Sequence, residues 1–352
     1  MNREQLFDAI RHGQPVRGED LSALDLTGAD LSGATFEEVR FPRALRGAHI
    51  KESSLIGCDL SGCDAGGADL HLAAVYRSKL VGARLDRATV IAASFIECDA
   101  GSCSFAQVEA PIASWVKTSL QGASFAGANL DRANLIDIDA TEASFAGANL
   151  EKATLYRADL RTADLAGTNL TLTTLIESKL GARSFAGIKL FRTQLMKSDL
   201  VGASFEGVDC PQCNFLGADL RGATFEGARG PQCFFGEAQL EGARFVNGDF
   251  RQAIFEKANL VKADLSGAVL EEACFARALA QEARFSNARL READFSHADL
   301  TAADFSGASM FRTKLHATRR ERAVLPRPAT WLGDDEELAR IEAWQPRHGA
   351  AR

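Results

Sequence analysis

Cys210-Pro-Gln-Cys213 is where two thiols stand at the spacing used for zinc ligation or thiol redox work. The same Pro-Gln-Cys recurs at Pro231 to Cys233, and Cys58, Cys63, Cys98 and Cys103 fall on the small inward positions of a repeating pattern, where Cys serves as a slightly larger Ala. The eight Cys are therefore expected to be reduced, buried thiols rather than ligands or a disulfide framework. Histidines stand at 12, 49, 71, 297, 316 and 348 without HxxxH or HExxH spacing, which offers neither a catalytic nor a metal-binding pair. Asp59, Asp99, Asp139, Asp159, Asp199, Asp219 and Asp299 form a carboxylate row that resembles a constellation of bases or phosphate mimics. Lys79 and Lys179 interrupt that row and Arg161 and Arg221 stand beside it, so it reads as a solvated face making turn hydrogen bonds. No glycine-rich phosphate loop or Ser-His-Asp arrangement accompanies these residues. A non-enzymatic protein with no metal and no cofactor is the expectation.

What positions these residues is a five-residue beat. A Leu, Phe or similar apolar residue recurs from Val16 through Leu21, Leu26, Leu31, Phe36 and Phe41. One residue is missing in Phe41-Pro42-Arg43-Ala44-Leu45, and from Leu45 the register holds without insertion to Leu315. Two residues before nearly every centre stands a small one, as at Ala128, Ala133, Ala143, Ala148 and Ala153, and two after it stands Gly, Arg or Lys in many repeats. One short period running through 352 residues overrides the usual expectation of two or three globular domains.

This pattern, A-(D/N)-L-x-x, resembles the pentapeptide repeat family over most of the chain. The resemblance implies an all-β fold, a right-handed quadrilateral parallel β-helix in which four pentapeptides make one square coil and the centre and small residues point inward. Side-chain character supports the four-sided coil independently. Phe105, Phe125, Phe145, Phe185, Phe205, Phe225 and Phe245 form one column at twenty-residue spacing, and Phe215, Phe235, Phe255, Phe275 and Phe295 form another on the opposite face. Coils stacked at the strand spacing of about 4.8 Å give some fifteen layers a length of roughly 70 Å.

The chain divides accordingly into an N-terminal capping helix (1–15), a repeat body (16–316) and a C-terminal cap and tail with a short helix (317–352). Leu6, Phe7 and Ile10 share one side of the first helix, and Trp331, Leu338, Ile341 and Trp344 are expected to cover the last coil, with disorder after Gln345. Ala100 and Ala110 accompany Phe105 and Trp115, and Gly230 and Cys210 flank Phe235 and Phe215, so small centres compensate large ones. Arg183 stands where a small inward residue is expected, which predicts a local bulge near Gly181.

The net charge of −7 and pI near 5.5, with both signs interspersed, argue against direct nucleic-acid binding. Neither a signal peptide nor a membrane span is evident, so a cytoplasmic protein without membrane contact is expected.

One outward column departs from the polar rule. Ile56, Tyr76, Ile96, Val116, Ile136, Tyr156, Ile176, Met196 and Leu216 follow the centres of one face, with charged residues directly beyond them. The equivalent residues on the opposite face are Ala106, Ala126, Ala146, Ala166 and Ala186. An apolar line of on the order of 500 Å² with a polar rim has the anatomy of a protein interface. The expected function is a non-catalytic scaffold or adaptor that binds a protein partner, or a second copy as a homodimer, through this stripe. The family resemblance implies two settings for such a rod. One subset accompanies type VI secretion effectors and their spike proteins. The alternative is a DNA-mimicking binder of DNA gyrase or topoisomerase, of the quinolone-resistance type, which relies on a strongly acidic surface.

Overall fold

A computed structural model describes residues 1–327 and 330–343. The chain opens with α1 (Arg3–Arg11), capped by Asn2, whose side chain accepts the Gln5 N–H at 2.9 Å while Gln5 returns a bond to the Asn2 N–H. Leu6 is fully buried beneath it, with Phe7 and Ile10 packed against the same core, so the helix closes the first coil.

Eight short strands follow on one face: β1 (Val16–Arg17), β2 (Thr35–Glu37), β3 (Ser54–Ile56), β4 (Ala74–Tyr76), β5 (Ser94–Ile96), β6 (Ser114–Val116), β7 (Asn134–Ile136) and β8 (Thr154–Tyr156). They pair in parallel in chain order, and the other faces are joined by single bridges such as Asp59 to Lys79, Asp64 to Arg84 and Asp69 to Thr89. Each coil is thus twenty residues, except where Phe36 pairs with Leu55 at nineteen, the missing residue at Phe41 to Leu45, and at the C-terminal end, where Lys314 bridges Leu332 at eighteen. After β8 the same face continues as single bridges, from Thr154 to Thr174 and on to Gln194, Asn214, Phe234 and Ile254. This is an all-β parallel solenoid of four-sided coils.

The centres fill its interior. Phe105, Phe125 and Phe145 stack with centroids 4.7 and 5.1 Å apart, and Phe185, Phe205, Phe225 and Phe245 continue the column at 4.2 to 4.7 Å. The opposing column runs from Phe215 to Phe295, and rings of the two columns meet edge to face, as Phe205 meets Phe215 at 5.5 Å and 88°. Each buried Leu or Phe contributes roughly 1.5–3 kcal/mol, but only because a coil above and a coil below exclude water. The residue two beyond nearly every centre turns the corner with a positive φ, which explains the glycines there. Side-chain-bearing residues also adopt it, including Leu172 at 58° and Ala302 at 57°.

Arg183 interrupts this regularity. Its guanidinium is partly buried and donates to the carbonyls of Leu180 (3.0 Å), Ala163 (3.2 Å), Arg161 (3.1 Å) and Leu160. Ser204, in the next coil, donates its N–H to the carbonyl of Arg183, whereas the Ala163 carbonyl takes the guanidinium in place of the Ser184 amide. The cation thus substitutes for backbone donors, and the expected bulge takes the form of an Asp164 to Ser184 bridge that does not form. Desolvation holds the Arg183 pKa below its ordinary value.

At the other end the coil outlasts the residue pattern. Bridges from Asp299 to Arg319, Asp304 to Val324 and Lys314 to Leu332 extend it past Leu315. Leu325 and Trp331 pack against the core, but α2 (Glu336–Glu342) does not cover it as expected. Leu338 is exposed and Ile341 is 70% exposed, because the helix is held by the polar contacts of Asp335 and Glu342 with His316. Trp344 and the residues after Gln345 lie outside the described residues.

Candidate functional site

Parallel pairing fixes the outward column. Ile56 pairs with Tyr76, Tyr76 with Ile96, Ile96 with Val116, Val116 with Ile136 and Ile136 with Tyr156, and the register carries on to Ile176, Met196 and Leu216. Because a strand sends alternate side chains to opposite faces, Leu55 and Phe95 point inward while Ile56 and Ile96 point out. All nine expected residues therefore lie in one line. The line is less open than the sequence suggests: Ile56 (38%) and Ile96 (36%) are exposed, whereas the other members are half-buried by stacking on their neighbours.

Phe234 and Ile254 extend the stripe and were not among the expected residues. Where the column reaches Gly236, a β-carbon would stand 2.7 Å from the ring of Phe234 and 3.5 Å from Leu216. The Phe234 ring thus lies over Gly236 beside Leu216, and Ile254 follows in the next coil, 36% exposed. The signal in the sequence was a pair of exchanges: glycine in the apolar column and phenylalanine in the column two residues earlier.

The rim is ordered by charge. Arg77 lies over the Tyr76 ring at 4.6 Å and pairs with Glu97 at 2.8 Å, holding that carboxyl below its ordinary value through the hydrogen bond. Arg157 lies 5.5 Å from the Tyr156 ring and pairs with Asp137 at 3.1 Å, while the Tyr156 hydroxyl donates to Glu177 at 3.2 Å. Both tyrosines are thereby fixed in orientation, with one face of each ring under a guanidinium.

The groups that first suggested chemistry have structural partners. Cys213 donates to the Leu190 carbonyl at 3.0 Å and Cys233 to that of Cys210 at 3.0 Å, the same bond that Thr173 makes to Leu150 at 2.7 Å. Burial pushes the Cys58 and Cys98 thiols up to about 11 and the Cys63 thiol to about 12, far from thiolate chemistry. Seven of the cysteines are buried and all eight are free, with Cys274 only partly covered. In the aspartate row, every member accepts the N–H two residues on: Ser61 on Asp59 (3.0 Å), Gly101 on Asp99 (3.1 Å), Thr141 on Asp139 (3.0 Å), Arg161 on Asp159 (3.3 Å), Val201 on Asp199 (3.2 Å), Arg221 on Asp219 (3.4 Å) and Thr301 on Asp299 (3.0 Å). The Arg161 and Arg221 guanidiniums neutralise Asp159 and Asp219 at 2.8 and 2.6 Å. The row is turn scaffolding, as its interruption by lysine suggested.

One polar cluster was invisible in the sequence. His297 and His316, on adjacent coils, meet Glu342 of α2 at 3.0 and 3.4 Å, and their donor atoms lie within 4.8 Å of one another. Two imidazoles and a carboxylate match a divalent-cation donor set. However, Nδ1 of His316 accepts the Asp335 N–H at 3.0 Å, so its proton resides on Nε2 and is directed at Glu342. A cation on that nitrogen requires the opposite tautomer, and the arrangement is instead a latch that ties α2 to the last coils.

Concave surfaces are shallow grooves along the coils. One of about 540 Å³ is lined by Arg46, Arg84 and Arg87, but these already bind Asp64 (3.7 Å), Asp86 (3.2 Å) and Gln107 (2.8 Å). Among the described residues no helix is long and apolar enough to cross a membrane.

No curated protein matches the chain. Among solved structures, similar ones include HetL, a pentapeptide repeat protein involved in heterocyst differentiation regulation in the cyanobacterium Nostoc, at 23% identity over 79% of this chain and 97% of HetL, TM-score 0.19. A pentapeptide repeat protein of the Arabidopsis thaliana thylakoid lumen is 28% identical over 32% of this chain and 70% of its own, TM-score 0.23. QnrB1, a plasmid-mediated fluoroquinolone resistance protein, is 17% identical over 77% of this chain and 97% of its own, TM-score 0.13. The sequence model of pentapeptide repeats, in eight copies, matches residues 17–44, 44–73, 118–155, 198–229, 233–272 and 281–316, more than half of the chain, and the chain belongs to the pentapeptide repeat family.

Proposed function

We propose that the protein is a non-catalytic scaffold that binds a protein through the apolar face running from Ile56 to Ile254. The observation that carries this reading is the continuity of the face. Apolar side chains occupy one outward line in coil after coil, and where Gly236 leaves a gap, Phe234 fills it from the neighbouring column. Burial inside the solenoid does not require those side chains, since the opposite face folds equally well with Ala126, Ala146 and Ala166 in the equivalent places. The polar rim of paired Arg77–Glu97 and Asp137–Arg157 frames the line as a rim frames an interface. The setting of a type VI secretion effector or spike complex rests on family resemblance alone.

A gyrase-directed DNA mimic receives less support. Its acidic surface must present free carboxylates, whereas the aspartate row is occupied by turn amides and arginines. Replacing Ile96, Ile136 and Ile176 together by Arg tests the scaffold reading in a pull-down against the proteins that co-purify with the wild type. The expected result is lost capture with an unchanged β-type circular dichroism spectrum. Capture at the wild-type level would sink the proposal, and inhibition of gyrase supercoiling by the variant and wild type alike would favour the mimic.

A further inference from the structure

The charges beyond the stripe alternate in sign from coil to coil: Arg77, Glu97, Lys117, Asp137, Arg157, Glu177 and Lys197. Part of this is satisfied within the chain, by Arg77 with Glu97 and by Arg157 with Asp137. Lys117, Glu177 and Lys197 have no ion-pair partner in the chain among the described residues. Two of these, Lys117 and Glu177, are placed symmetrically. Lys117 precedes, and Glu177 follows, the gap between the Ile136 and Tyr156 coils by one and a half coils.

We infer that the occupant of the apolar face is a second copy of this chain, packed antiparallel about a two-fold axis that lies in the plane of the face and crosses the rod between Ile136 and Tyr156. This rests on the reading of the face as a protein-binding surface. An in-plane axis across the rod reverses its direction and keeps each column opposite itself. It therefore sets Lys117 of each copy against Glu177 of the other, and Glu97 against Lys197. The apolar line matches itself under the same operation from Ile56 to Phe234: Ile136 faces Tyr156, and Ile56 faces the coil of Phe234, while Ile254, one coil further, lies beyond the matched span against the coil of Glu37. Other registers fail. An axis through a coil places like charges opposite one another, as Asp137 on Asp137. An axis one coil earlier pairs opposite signs but sets Leu216 against Glu37, and an axis one coil later sets Glu97 against Glu237 and Arg77 against Lys257. Such self-complementarity is what a two-fold interface demands, and the charges fix its register.

Magnitude decides the kind of dimer. From Ile56 to Phe234 the face is about 45 Å long at the usual strand spacing and about one side chain broad, roughly 10 Å. Two such faces bury on the order of 900 Å², below the range of stable complexes, so a reversible dimer with a Kd of about micromolar order is expected.

Sedimentation velocity of the full chain between about 1 and 100 µM, bracketing that Kd, provides the test. Lys117→Glu alone and Glu177→Lys alone each create two like-charge contacts across the axis, and each is expected to weaken the dimer at least about tenfold. Mixed in equal amounts, the two variants restore two opposite-charge contacts and form a heterodimer with wild-type affinity. A wild type that stays monomeric throughout overturns the inference, as does a dimer that either variant leaves intact. A mixture that fails to associate overturns the antiparallel register. A monomeric wild type that still loses its co-purifying protein on Ile136→Arg substitution leaves the scaffold reading standing with a different partner. A protein whose Ile136→Arg variant changes neither association nor capture refutes both.

Discussion

The ring of Phe250 occupies the space in which Gly230, one coil earlier in the same column, has no side chain. A β-carbon on Gly230 would lie 2.6 Å from Cε1 of Phe250 and 2.9 Å from Sγ of Cys233, and one on Gly248 would lie 2.6 Å from the other edge of the ring. None of these backbones is left-handed, so the glycines are required by volume alone. Gly230→Ala is expected to destabilise the protein by about 1–3 kcal/mol through overpacking. Adding Phe250→Leu to Gly230→Ala should recover a large part of that loss, which thermal or urea unfolding of the wild type and the two variants reads directly. Equal stability of Gly230→Ala and wild type would contradict the packing account.

A different rule governs the corner positions. Ala302 turns the chain at φ 57°, where an L side chain is strained and glycine is not. Ala302→Gly should therefore stabilise by about 0.5–1 kcal/mol, against the usual sign for a glycine substitution. Ala303→Gly, one residue later and fully buried in the inward position, should destabilise by about 1 kcal/mol. Urea midpoints of the pair test whether position in the coil, and not residue type, sets the sign.

Arg183 separates two kinds of defect. Its guanidinium stands in for backbone donors to Ala163, Arg161 and Leu160, so Arg183→Met removes the donors while keeping the bulk, and should cost at least about 2 kcal/mol. Arg183→Ala restores the residue size found at this position in other coils and lets the Ser184 amide return to Ala163. Its melting temperature is expected to equal or exceed that of the wild type. If alanine and methionine destabilise alike, the coil is not held open by the arginine.

Much of this was legible in the sequence because inward volume repeats every coil. The phenylalanine columns disclose the twenty-residue turn, and the missing residue before Leu45 reappears as the nineteen-residue pairing of Phe36 with Leu55. The line from Ile56 to Leu216 was legible for the same reason. What escaped depends on contacts that no period encodes. Phe234 joins the stripe by leaning across Gly236 from another column. His297 and His316 become neighbours by coiling and meet Glu342 only because the tail folds back. The apolar residues of α2 suggested a hydrophobic lid, but a helix anchored by Glu342 and His316 leaves Ile341 in solvent.

The cysteines provide a test of core order. Seven are buried, with desolvation raising thiols such as Cys58 and Cys63 to about 11 and 12. A thiol-specific reagent at about pH 8, below those values, should label at most Cys274 in the folded protein and all eight after denaturation. Rapid labelling of more than one thiol would indicate coils that open locally.

Acid sensitivity follows from the turn aspartates. Hydrogen bonds from Ser61 hold the Asp59 carboxyl below its ordinary 3.8, and bonds from Arg161 and Arg221 do the same for Asp159 and Asp219. A carboxyl whose folded pKa is depressed contributes stability that is fully present above the unfolded value and lost as pH falls through the folded one. The melting temperature should therefore be flat above about pH 5 and fall progressively below about pH 4. Asparagine keeps the acceptor without the charge, and Asn129, Asn149 and Asn169 already receive the same amide bonds at 3.3, 3.3 and 3.1 Å. Asp59→Asn should thus leave the neutral-pH structure intact and reduce the acid slope. A slope unchanged when Asp59, Asp159 and Asp219 are all replaced by Asn would place the acid sensitivity elsewhere, for example in Glu342, where desolvation pushes the carboxyl up but the His297 and His316 bonds together hold it below its usual value. Release of α2 at low pH, followed by proteolysis at Arg340, distinguishes that origin from loss of the coil turns, which would remove the β-type circular dichroism as well.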